Sequence, residues 1–139
     1  MLHSKVKWSG GLQFVGESET GHAIVVDADP EAGGSNTGMR PMELLLIGIG
    51  GCSGMDVASI LQKKKQLITS IEVNVKGEKA DSHPQKFTAI DLEFVVRGKD
   101  LSEEAVKKAV DLSMDKYCSV KATLEGVARI TYGYKILPA

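Results

Sequence analysis

The chain is poor in most features that mark a specialised surface or scaffold. Two of its 139 residues are cysteines, Cys52 and Cys118, too few for the disulfide framework of a small secreted domain. Neither sign of charge is in excess: 17 Lys and Arg against 18 Asp and Glu leave a net charge of −1. That argues against a nucleic-acid or membrane-surface binder, which would carry a basic face or tail. The longest unbroken run of apolar residues and glycine, Leu44 to Cys52, is nine residues, against the roughly 20 a transmembrane helix needs. His3, His22 and His83 show no metal-ligand spacing with each other or with the cysteines, so no metal is expected. The loop Gly33-Gly34-Ser35-Asn36-Thr37-Gly38 lacks the Gly-Lys-Ser/Thr ending of a phosphate-binding loop, and no Rossmann pattern surrounds it, so no cofactor is expected either. Met1-Leu2-His3-Ser4-Lys5 leads straight into an alternating segment, which predicts no leader peptide. The expectation is one cytoplasmic domain over residues 1–139, its thiols kept reduced.

What is present is an orderly alternation of short elements. Lys5–Trp8 and Leu12–Glu17, joined at Gly10-Gly11, predict a hairpin, and Ala23–Asp27 a third strand. Ala28 to Arg40 reads as loop, punctuated by Asp29-Pro30 and the glycines. Pro41 suits the first position of a helix running to about Lys65, where its missing N–H costs nothing. Ile71, Val73 and Val75 alternate with polar residues, and Phe87–Arg97 places Ile90, Leu92, Phe94 and Val96 on one face. Ser102 is the N-cap of a second helix whose apolar stripe is Val106, Val110, Met114 and Tyr117. Ile130 to Ile136 closes the chain as a strand. The order βββ-α-ββ-α-β predicts an α+β fold with mostly antiparallel sheet.

The first helix has an unusual interior. Gly48, Gly50, Gly51 and Gly54 each cost about 1 kcal/mol relative to alanine there, and close approach by a neighbour is the usual compensation. Gly51, Gly54 and Ala58 recur at i, i+3, i+7, a small-residue face suited to the same helix of a second chain. Cys52 sits within this stretch. A buried free cysteine often acts only as a small hydrophobe. A reactive one needs its thiolate. Roughly 16 Å from the helix start, Cys52 lies beyond the reach of the helix dipole, so a cation must come from elsewhere. Arg40 is a candidate. Twelve helical residues, about 18 Å, separate it from Cys52 of its own chain, so it would act from a second subunit. Glu43, at about the third helical position, suits reach-back capping. With two thiols present, a peroxide could oxidise one to a sulfenic acid and the second could resolve it to a disulfide.

Pro41-Met42-Glu43-Leu44-Leu45 leading to Gly50-Gly51-Cys52, followed by Tyr117-Cys118-Ser119-Val120-Lys121-Ala122-Thr123-Leu124, resembles the OsmC/Ohr family, and the order of elements matches over essentially the whole chain. The resemblance implies an OsmC-like fold: an intertwined homodimer around two long central helices, with sites at the dimer interface. It implies an organic hydroperoxide reductase with Cys52 peroxidatic and Cys118 resolving, reduced by a dithiol or a lipoylated protein. In well-characterised members the residue after the proline is a glutamate paired with an arginine from the N-terminal β region. Here Met42 takes that place, Glu43 is one residue out of phase, and Lys5 to Asp27 contains no arginine. Arg40 and Glu43 are therefore the substitutes to weigh. The other reading open at this point is a non-catalytic, stress-associated dimer of the same fold that binds small apolar ligands, its cysteines packed as spectators.

Overall fold

The computed structural model describes residues 1–139, which form two compact units, Met1–Leu45 and Leu46–Ala139. The first is an antiparallel meander of β1 (Ser4–Trp8), β2 (Phe14–Ser18) and β3 (Ala23–Val26). Trp8 pairs with Phe14, and Phe14 with Val26. Val6 and Trp8 are largely exposed, so this sheet leaves apolar surface uncovered. The loop behind it is ordered by one residue. Both carboxylate oxygens of the buried Asp27 are used: Oδ1 accepts from the Ala28 N–H, and Oδ2 from the N–H groups of Ser35 and Thr37 and from the Thr37 hydroxyl. An aspartate at a strand end is an ordinary sequence feature; only the folded loop reveals the role.

The Thr37 hydroxyl, then the Ala28 N–H and the other backbone donors, hold the Asp27 carboxyl down at about 2 against an ordinary 3.8. Because the folded-state value is the lower one, the contribution is fully present above about pH 4 and is lost as pH falls through about 2. Hydrogen exchange at the Ser35 and Thr37 amides is expected to accelerate beyond its intrinsic pH dependence over that window. In Asp27→Asn the loop should be loosened at every pH and that extra acid dependence should vanish. An unchanged profile in the variant would remove Asp27 as the organiser.

The helix α1 spans Pro41–Lys63, two residues short of the sequence-based expectation. The chain turns off through Lys65, whose positive φ of 58° ends the helix. With a mean hydropathy of 1.8 over its best 18-residue window, α1 is long and apolar enough to cross a membrane. Even so, a stripe of Ile49, Ser53, Val57 and Leu61 at i, i+4, i+8, i+12 is buried in protein.

In the second unit, β4 (Leu67–Lys79) pairs antiparallel with β5 (Phe87–Lys99), and β6 (Arg129–Pro138) pairs parallel with β5. The parallel pair is possible because two helices, α2 (Glu103–Leu112) and α3 (Ser119–Leu124), carry the chain from β5 to β6. Ile90, Leu92, Phe94 and Val96 of β5 are almost wholly buried, together with Val57 and Leu61 of α1 and Val106, Ala109 and Val110 of α2. The period-two face expected of β5 is thus the core face. Ser102 caps α2 as expected, its Oγ accepting from the Ala105 N–H at 3.2 Å.

The expected second helix is not continuous. After Leu112 the chain widens into a π-helical turn, Ser113–Tyr117, closed by the Cys118 N–H donating to the Ser113 carbonyl at 2.8 Å. A 3.6-residue period places Tyr117 on the buried stripe. The wider turn moves the frame by one residue, so Tyr117 is 49% exposed and Cys118 takes the inner position at 4%.

Candidate functional site: a thiol pair beside a carboxylate

Cys52 lies on α1 one residue before the buried Ser53 and is half-buried. Cys118 comes from the break between the π turn and α3, where its extended backbone (φ −71°, ψ 101°) makes it the N-cap of α3. Its Sγ accepts from the Lys121 N–H at 3.4 Å. The two sulfurs and a carboxylate oxygen of Asp56 all lie within 4.8 Å of one another. Both cysteines are free thiols.

Asp56 escaped the sequence reading. It is four residues beyond Cys52, one helical turn along the same face, and that spacing was its one available signal. Its position is set from the other side of the site: Ser113, fully buried in the π turn, donates from Oγ to Asp56 Oδ2 at 2.9 Å, with the Ser53 carbonyl at 3.4 Å. The π turn therefore does two things, turning Cys118 inward and delivering Ser113 to the carboxylate. Single π turns inside helices are frequent at functional sites.

Burial is the main influence on Cys118, and with the facing Cys52 and Asp56 it pushes the thiol up to about 11 from an ordinary 9.0, against the opposing Lys121 N–H. Cys118 is consequently a neutral thiol near pH 7. Cys52, Asp56 and Cys118 are also the donors a thiophilic cation would find. They would form an open three-donor set rather than the closed four-donor shell of structural zinc.

Arg40 and Glu43 are brought together elsewhere. The Arg40 N–H donates to Glu43 Oε1 at 2.8 Å, and the Glu43 N–H to the Arg40 carbonyl at 3.0 Å. This is the reach-back cap expected of Glu43. The Arg40 guanidinium donates from Nη1 to the Gly38 carbonyl at 3.0 Å.

An apolar groove of about 700 Å³ runs along α1 and β4, lined among others by Ile47, Gly51 and Met55 and by Ile71, Val73 and Val75. Met55 is 74% exposed and Ile47 52%. The helix glycines divide here. A Cβ on Gly50 would stand 3.0 Å from Val75 Cγ2, so β4 of the same chain explains that glycine. A Cβ on Gly51 would meet nothing within 4 Å.

The sequence pattern of the OsmC-like protein family matches residues 33–133, a span that contains both cysteines and Asp56. The chain belongs to the OsmC-like family. Among its relatives is Protein YhfA of Escherichia coli strain K12, 44% identical over 138 residues, which cover 99% of this chain and all of that protein. A crystal structure of a hypothetical protein from Aquifex aeolicus is 32% identical, covers 99% of this chain and 98% of its own, and superimposes with a TM-score of 0.81. The organic hydroperoxide resistance protein OhrB of Bacillus subtilis shares the fold, with a TM-score of 0.63 at 23% identity and coverage of 97% and 98%. The OsmC-like α+β fold expected from the two cysteine motifs is thus the fold of the chain.

Proposed function

We propose that this OsmC-like protein is a thiol-dependent peroxidase that reduces organic hydroperoxides. The observation that carries the reading is the pairing of Cys52 and Cys118, from separate elements, within 4.8 Å. Cys52, the more accessible sulfur, attacks the distal peroxide oxygen, releasing the alcohol and becoming a sulfenic acid. Cys118 then condenses with it to a disulfide and water. A dithiol or a lipoylated protein returns both thiols.

The working form is a cytoplasmic homodimer of single-domain chains, with no part in membrane or nucleic-acid binding. Its second chain covers the groove along α1, and Arg40 acts across the interface on the Cys52 thiolate, its backbone fixed by Glu43. Four of the five guanidinium N–H donors are left for that contact after the bond to Gly38. The organic hydroperoxide resistance proteins among the structural neighbours support this reading at the level of the fold.

The open apolar groove favours one other reading, a non-catalytic dimer that binds small apolar ligands. Consumption of cumene hydroperoxide with dithiothreitol separates the two. The wild type is expected to turn over, and Cys52→Ser to fall to the uncatalysed rate. Equal slow consumption by both proteins would leave the binding function standing.

A further inference from the structure

Asp56 has a carboxylate oxygen within 4.8 Å of both sulfurs and takes no part in the peroxidase chemistry described above, yet Ser113 of the π turn holds it in place. From this geometry we infer that Asp56 is a catalytic proton relay in the resolving step, carrying the Cys118 proton to the hydroxyl that leaves Cys52. The inference rests on the two-cysteine reading.

The step has a specific proton problem. Cys118–SH attacks Cys52–SOH; the S–S bond forms, the S–O bond breaks, and the products are the disulfide and one water. One proton leaves Cys118 and one must reach the departing hydroxide. Thiolate is the competent nucleophile, and a thiol that burial pushes up supplies little of it near neutral pH. A carboxylate with an oxygen within 4.8 Å of both sulfurs accepts the first proton as the bond forms and delivers it to the departing oxygen, ending as it began. Such positioned transfer contributes about 10² to 10⁴ in rate.

The surroundings leave this task to Asp56. The titratable groups acting on Cys118 are Cys52 and Asp56, and the remaining partner of its sulfur is the Lys121 backbone N–H, which has no proton to exchange in the step. The Lys121 ammonium is engaged with Glu125 at 2.8 Å. Ser113 donates to Oδ2 at 2.9 Å, which fixes the carboxylate. Before oxidation, burial first and then Cys52 and this carboxylate disfavour the Cys118 thiolate, so the resolving thiol stays in reserve until an acceptor exists on Cys52.

The test is single-turnover oxidation of the reduced protein with one equivalent of cumene hydroperoxide. Cys52 oxidation is followed by peroxide loss, and disulfide formation by quenching, alkylation and mass measurement, from pH 5.5 to 9.5. In Asp56→Asn, Cys52 oxidation should proceed within a few-fold of wild type. Disulfide formation should slow by about 10²-fold or more at pH 7 and recover steadily with pH as free Cys118 thiolate takes over. Ser113→Ala, which keeps the carboxylate and loosens it, should retain the wild-type pH profile at a lower rate. Disulfide formation in Asp56→Asn at the wild-type rate, or slowed with an unchanged profile, would overturn the relay while leaving the peroxidase reading intact. Failure of peroxide to oxidise Cys52 in the wild type would overturn both.

Discussion

Gly51→Leu is expected to leave the chain folded and to take the proposed homodimer apart. In a single chain nothing lies within 4 Å of the position a Cβ would occupy at Gly51, so a side chain there starts into open space. The neighbouring Ile47 and Met55 are exposed on the same face, an arrangement that a second chain in the groove would cover. Overpacking a close contact costs typically 1–3 kcal/mol, and a two-fold dimer carries each substitution twice. Association should therefore weaken by about 2–6 kcal/mol, from tens of fold to about 10⁴-fold.

Gly50→Leu is the control, because its Cβ would start 3.0 Å from Val75 Cγ2 within the same chain. That variant should lose stability at every protein concentration. Gly51→Leu should instead show a lower mass by light scattering and a melting temperature that no longer rises with concentration. A Gly51→Leu protein that is as dimeric as wild type would place the interface elsewhere.

Much of the fold is legible in the sequence because its signals are local. The alternation through Ile90, Leu92, Phe94 and Val96 needs one buried face and nothing else, and that face is the core. Pro41 with Glu43, and Ser102 with the N–H groups that follow it, are caps that act within a few residues. The exposure of β1 along its whole length and the parallel pairing of β6 with β5 are not written in either strand; they depend on what the rest of the chain, or a second chain, places beside them.

The site was harder to read for two physical reasons. A π turn is one extra residue in a helical frame, and the apolar period of Val106, Val110 and Met114 runs straight through it. The consequence is an exchange of places between Tyr117 and Cys118. Asp56 was hidden differently. A carboxylate four residues after a cysteine on a helix is unremarkable until Cys118 and Ser113 arrive from the far side of the fold. The helix glycines show the same limit: Gly50 answers to Val75 of its own chain, while Gly51 faces open space, and their sequence setting is almost identical.

Removing the resolving thiol should convert a disulfide-forming protein into one that accumulates a sulfenic acid. After one equivalent of organic hydroperoxide the wild type should lose both thiols and give almost no dimedone adduct, because Cys118 stands within 4.8 Å of the oxidised sulfur. In Cys118→Ser the serine hydroxyl cannot form the S–S bond, so one thiol should be lost and Cys52 labelled by dimedone in near-stoichiometric yield. With excess peroxide that variant should inactivate as Cys52 passes to the sulfinic acid, a step the disulfide otherwise intercepts. In Cys52→Ser the remaining Cys118 should stay titratable, since burial, the largest influence on its thiol, still pushes it up and leaves little thiolate for a peroxide. The three proteins together assign the order of events: labelling of Cys118 in Cys52→Ser would reverse the two roles, and a wild type that keeps both thiols would end the redox reading and leave the apolar groove as the functional surface.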